Sequence, residues 1–172
     1  LYAERRIELE KIVAKRKAEQ FAWEKENPGK AILLHQYFSG KVPDIDYKSI
    51  VHKPDVATRV ASSDVLGVFG EQIGNMIVSS ADLANSDKTD GFLKKTHAFI
   101  NGDFTGAFLQ AGVSELTMAA IMNGMALHGG IIPACGTFFV FSDYMKPAVR
   151  LAALMEVPVK YVWTHDAFRV GE

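Results

Sequence analysis

Apolar positions along the 172-residue chain change their spacing several times, and each change predicts an element. Over residues 1–27 ("LYAERRIELEKIVAKRKAEQFAWEKEN") Ile7, Leu9, Ile12, Val13, Phe21 and Trp23 recur loosely at helical intervals among charges. That pattern predicts a surface helix with a thin apolar stripe, too irregular for a coiled coil or a membrane helix. "NPG" at 27–29 stops it. "AILLHQYFSG" reads as a second, short helix. "KVPDIDYKSIVHKPD" carries two prolines and alternates in polarity, which suggests an extended segment draped over a surface.

From Asp55 the pattern tightens. "DVATRVASSDVLGVFGEQIG" predicts a helix that Asp55 caps, with Val56, Val60, Leu66, Phe69 and Ile73 on one buried side. "NMIVSSADL", "AFLQAG", "IIPACGTF" and "VKYVWTHD" read as four strands. A helix starting at Glu115 and another over "SDYMKPAVRLAALM" fall between the later strands. Alternating strands and helices predict an α/β domain built on a largely parallel sheet, with helices on both faces. Residues 1–54 are then a helical linker and connector, and residues 55–172 the domain. The chain opens on Leu1 inside a helical pattern and stops at Glu172 without a tail, so we expect a piece of a longer protein, its domain truncated at the C-terminal end. In parallel sheets ligands sit at the carboxyl ends of strands. That rule gathers three polar groups: Asp82 to Ser86, Glu115, and His165 with Asp166.

Bulk composition narrows the function classes. A net charge of −1 gives no reason to expect a nucleic-acid or acidic-membrane partner, and no apolar run reaches the roughly 18 residues of a membrane span. The single cysteine, Cys135, excludes an internal disulfide framework and fits a reducing cytoplasm. The five histidines are scattered without metal-ligand spacing, so no metal site is expected in these residues. Gly67, Gly70 and Gly74 do not form a dinucleotide fingerprint, and neither a phosphate loop nor a G-x-S-x-G nucleophile motif is present.

Glu115 stands out. An acid in the first turn of a helix complements the helix dipole, a common surface feature. Its neighbours Val113, Leu116, Met118 and Ala119 leave no obviously solvated face, however, and a buried carboxylate needs a partner. A ligand that shares a proton with it would be such a partner. Phe138, Phe141 and Tyr144 are spaced three apart. They read either as core packing or as a flat pocket for a planar ring. His165 at a strand end is structural or a donor to a phosphate or hydroxyl, and Arg59 is a surface residue or an anion ligand.

Several stretches together resemble transketolase: "ATRVAS" (57–62), "SSADLANS" (79–86), "MAAIMNGMALHGGIIPACGTFFVFSDYMKPAVRLAALM" (118–155) and "YVWTHDAFRVGE" (161–172) look like that family's pyrimidine-binding domain, in the family's order. The resemblance implies an enzyme that moves a two-carbon ketol unit from a ketose phosphate to an aldose phosphate through thiamine diphosphate, in the pentose phosphate pathway. It implies a homodimer with the site shared between subunits. Glu115 would hydrogen-bond N1′ of the aminopyrimidine. Phe138, Phe141 and Tyr144 would enclose that ring, and Asp82 would lie near the cofactor. Arg59, Ser86 and His165 would bind the substrate phosphate, and His165 would also take part in catalysis. Mg2+ would be held by the preceding domain. Ser114 and Leu116 depart from the Arg and His that often flank the family's glutamate. On this view the chain by itself is inactive. The rival readings are a dihydroxyacetone synthase or deoxyxylulose-phosphate synthase type of enzyme, and a non-catalytic dimerisation module.

Overall fold

The structure, a computed structural model, describes residues 1–166; the "GE" end of the last motif, in 167–172, lies outside the described residues. The chain divides into two units, Leu1–Ser39 and Gly40–Glu172. In the first unit α1 (Tyr2–Glu26) buries none of its residues. Pairs one turn apart lace its surface, with Arg5 to Glu8 at 2.7 Å and Arg6 to Glu10 at 2.9 Å. The Asn27 amide closes α1 on the Trp23 carbonyl, and Pro28 then opens α2 (Pro28–Phe38), where its missing N–H is not needed. "NPG" thus ends one helix and starts the next, three residues earlier than the apolar pattern suggested.

The second unit begins upstream of Asp55. Ile45 is buried in its core, so the proline-bearing stretch packs on the domain as well as leading into it. Asp55 does not cap the next helix. α3 runs Thr58–Gln72 with Ala57 at the cap position, and no side chain caps it. Asp55 lies two residues too early to reach the first-turn amides and holds a left-handed backbone, φ 56°.

Four strands follow: β1 (Met76–Ser80), β2 (Phe108–Gln110), β3 (Ile132–Phe138) and β4 (Lys160–Thr164). All pair in parallel in the order β2-β1-β3-β4, with Val78 opposite both Phe108 and Ala134, and Gly136 opposite Val162. Between β1 and β2 lie two one-turn helices, α4 (Ala84–Asp87) and α5 (Asp90–Leu93), which the apolar pattern did not predict. α6 (Glu115–His128) joins β2 to β3, and α7 (Ser142–Leu154) joins β3 to β4.

Strand alternation divides the core in two. Val78, Phe108 and Ala134 pack with Leu66 and Ile73 of the α3 segment and Phe92 of α5. Cys135, with Ile77, Leu109 and Tyr161, packs against Met118, Ala119 and Met122 of α6 and Met145 and Ala148 of α7. Helices therefore cover both faces, as expected of a parallel sheet. One polar pin crosses the second core: Asn123 donates to the Ala148 carbonyl at 2.8 Å and accepts from the Tyr161 hydroxyl at 2.5 Å, tying α6, α7 and β4 together.

Burial, helped by the nearby Asp87 charge, pushes the Cys135 thiol up to about 12. Thiolate is the reactive form. Ellman's reagent at pH 8 is therefore expected to leave the native protein unlabelled and to take up one equivalent on denaturation. Rapid native labelling would contradict the buried placement.

Candidate functional site

The strand order sets the place. β1 and β3 are neighbours, yet the chain leaves β1 toward α5, on the α3 face, and leaves β3 toward α7, on the α6 face. Two adjacent strands whose connections part in this way open a crevice at their carboxyl ends. Every candidate residue except Arg59 follows a strand end on that edge: Asp82 and Ser86 after β1, Glu115 after β2, Phe138 to Tyr144 at and after β3, and His165 after β4.

Glu115 is the first residue of α6 and is 8% exposed. Ser114 does not cap the helix, since its hydroxyl donates back to the Ala111 carbonyl at 2.7 Å. The Glu115 carboxylate has no hydrogen-bond or ion-pair partner among the described residues. Its oxygens are not among the fully buried atoms that lack a hydrogen bond, so the carboxylate stays open to water or to a ligand at the N-terminus of α6. The residue is little exposed, and it is also a first-turn acid that complements the dipole of α6.

The aromatic residues form a ladder. Phe138 stacks on Phe141 with centroids 5.8 Å apart and planes 10° from parallel, and Phe141 stacks on Tyr144 at 6.1 Å and 18°. The strand end, a single 3-10 turn and the first turn of α7 supply one ring each. Tyr144 is 63% exposed, so the ladder is not core packing along its whole length. His165 lies against its inner end, its ring 3.8 Å from that of Phe138, and the Thr164 hydroxyl meets His165 Nδ1 at 2.9 Å. His165 holds a left-handed backbone, φ 54°.

Two clefts flank this edge. One, of about 450 Å³, is lined by Arg59, Ser62, Trp163, Thr164, His165 and Asp166. It brings Arg59 from the start of α3 to the histidine at the end of β4. The other, of about 540 Å³, is lined by Asp82, Ser86, Gln110 and Gly112 among others. The structure thus joins Arg59 with His165 and Asp82 with Ser86, and sets the two pairs in different clefts.

Pattern reasoning missed Asp87. It is 1% exposed and accepts hydrogen bonds from the Ser80 hydroxyl and from the Thr89 amide and hydroxyl. Desolvation outweighs these bonds and holds its carboxyl above the usual aspartate range. The Asp-x-Thr spacing of Asp87 and Thr89 is the signal that marks it, because an aspartate commonly accepts from the amide two residues on.

These features define a parallel α/β domain whose switch-point edge carries Glu115 and a ladder of aromatic rings. Residues 54–172 match the family model described as the transketolase pyrimidine binding domain, and the chain belongs to that family. A transketolase of Geobacillus stearothermophilus is 42% identical over the whole of this chain, which spans 26% of that protein. One from Bacillus subtilis is 45% identical over 89% of this chain and 23% of its own length. Among solved structures, transketolase from Leishmania mexicana superposes with a TM-score of 0.82 at 36% identity, over 92% of this chain and 25% of that one. A Pichia stipitis transketolase in complex with sedoheptulose 7-phosphate gives 0.81 at 34%, over 96% and 26%. The chain spans about a quarter of the length of the curated relatives it matches.

Proposed function

We propose that this chain supplies the pyrimidine-holding part of a transketolase, which moves a two-carbon ketol unit from a ketose phosphate to an aldose phosphate with thiamine diphosphate. The observation that carries the proposal is the buried, unpartnered carboxylate of Glu115 at the sheet's switch-point edge. An aminopyrimidine ring is a partner for this carboxylate, and the ladder of Phe138, Phe141 and Tyr144 on the same sheet edge offers flat apolar surface of the kind such a ring packs on. The residues present therefore fit the pyrimidine end of the cofactor.

When bound, thiamine diphosphate supplies the carbon centre that carries the two-carbon unit between sugars. Glu115 shares a proton with ring nitrogen N1′ and so fixes which tautomer is held. The aromatic residues exclude water and set the plane of the ring. Asp82, which lines the other cleft, is the acid that the resemblance sets near the cofactor. Arg59 and His165, which share one cleft, bind the substrate phosphate, where charge-assisted hydrogen bonds are strongest; Ser86, which lines the other cleft, joins them on the resemblance alone. The resemblance puts the diphosphate and its Mg2+ on residues outside this chain, and pairs two chains around each site. The relatives named transketolase, and the structure bound to sedoheptulose 7-phosphate, support this substrate class.

The test is ketol transfer by the full-length gene product, with ribose 5-phosphate, formaldehyde and glyceraldehyde 3-phosphate offered as acceptors. Preference for ribose 5-phosphate is expected. Formaldehyde preference would point to a dihydroxyacetone synthase, and no transfer at all to a non-catalytic dimerisation module. Arg59→Ala is expected to raise KM for the phosphorylated donor about 10- to 100-fold, from the loss of one charge-assisted contact. An unchanged KM would remove Arg59 from the phosphate site.

A further inference from the structure

The turn between β1 and α5 is held by a buried polar knot that the roles above leave unexplained. Ser80, Asp87 and Thr89 are each no more than 2% exposed. The Ser80 hydroxyl donates to Asp87 Oδ2 at 2.6 Å, while the Thr89 amide and hydroxyl donate to Oδ1 at 2.9 and 2.8 Å. Ser80 Oγ in turn accepts from the amide of Leu83 at 3.1 Å, one residue beyond Asp82. The grip spans the turn from its first residue to its last.

Two further observations show that the turn needs holding. Asp82 and Lys88 stand at φ 64° and 68°, a left-handed conformation that residues with a side chain adopt only when their surroundings impose it. The knot also seats directly on β3. A Cβ at Gly136 would lie 2.5 Å from Thr89 Cγ2 and 3.3 Å from Asp87 Oδ2, so the fit exists only because residue 136 has no side chain.

We propose that Asp87 is a positioning residue: by gripping Ser80 and Thr89 it fixes the turn that presents Asp82 and Ser86 at the carboxyl edge of the sheet. The inference rests on the reading of Ser86 as a phosphate ligand. Stability does not explain the acid. Its raised pKa, caused first by desolvation, means that its contribution to stability is present below the ordinary aspartate pKa and is lost as pH rises through the raised value. At neutral pH the charge works against folding, whereas the geometry it imposes serves the turn.

Asp87→Asn in the full-length gene product separates the two roles. The amide oxygen still accepts from Thr89, but the Ser80 hydroxyl loses its carboxylate acceptor and meets an amide donor instead. The variant is expected to melt at or above the wild-type temperature. Its KM for a phosphorylated ketose should rise about tenfold, the loss of one buried hydrogen bond to a charged group, with KM for a non-phosphorylated ketose unchanged. Gly136→Ala, which displaces the knot without altering any polar group, should give the same split. Unchanged KM for both donors in Asp87→Asn overturns the proposal, as does an equal rise for both accompanied by a lower melting temperature. Ser86→Ala tests the underlying reading separately. If it leaves the phosphorylated donor's KM unchanged, that reading fails and Asp87 is judged by amide hydrogen exchange. Faster exchange confined to residues 81–89 in Asp87→Asn then sustains the positioning role, and unchanged or global exchange overturns it.

Discussion

Glu115→Ala in the full-length gene product is expected to lower ketol transfer about 10²- to 10⁴-fold, the range for removal of a positioned proton-transfer group. That corresponds to roughly 3–5.5 kcal/mol of lost transition-state stabilisation. The same substitution is expected to change the melting temperature little, because the carboxylate makes no hydrogen bond or ion pair with any described residue and a first-turn acid contributes at most about 1 kcal/mol. The combination is the informative outcome. A residue retained for packing loses stability when truncated, whereas one retained for a ligand loses only the ligand's chemistry. Glu115→Gln keeps the shape and replaces an acceptor oxygen by a donor, so it should be nearly as inactive as the alanine variant. Near-normal turnover in either variant, measured with saturating cofactor, would remove Glu115 from the proposed role.

Phe92→Ala is expected to cost about 3–5 kcal/mol, the usual range for emptying a fully buried phenylalanine site. Phe92 is 0% exposed and lies in the cluster that joins β1 and β2 to α3. Few neighbours can move to fill the space. Gly91, one residue before it, already places α5 so close to α3 that a Cβ there would stand 2.1 Å from the Ser63 carbonyl oxygen. Against a typical total of about 5–15 kcal/mol, the loss takes a large share of the stability of the fold. The denaturant midpoint checks it, and a shift equivalent to less than about 1 kcal/mol would show that the cavity collapses.

The α/β class and four parallel strands were legible because strand runs and helical runs alternate cleanly from the second strand onward. Both strand faces are buried, so "MIVSS" and "IPACGTF" read as continuous runs. The one-turn helices α4 and α5 were not legible, since four residues carry no helical period. Asp55 misled because an aspartate before a helical pattern is a good cap signal, and only the backbone shows that α3 starts at Thr58. Glu115 was visible as an anomaly, an acid among apolar neighbours, but its lack of any partner is a three-dimensional fact. The spacing of Phe138, Phe141 and Tyr144 by itself favoured core packing over a pocket. The ladder forms because a strand end, a 3-10 turn and a helix happen to present rings at that interval. Asp87 was hidden for the opposite reason. Among Asn85, Ser86, Lys88 and Thr89 it looks like an ordinary polar turn residue, and nothing local reveals that β3 closes over it.

The cleft that unites Arg59 with His165 has a consequence for the order of synthesis. Its two ends come from the first helix and the last strand of the second unit, so the arginine leaves the ribosome long before its partner. A nascent chain that has exposed α3, β1 and β2 holds one wall of the cleft and no other. β1 must also wait for β3, its central neighbour, until β2 and α6 have been made. Such non-local pairings form late and slowly. The cleft between Arg59 and His165 is thus complete only once β4 has been made.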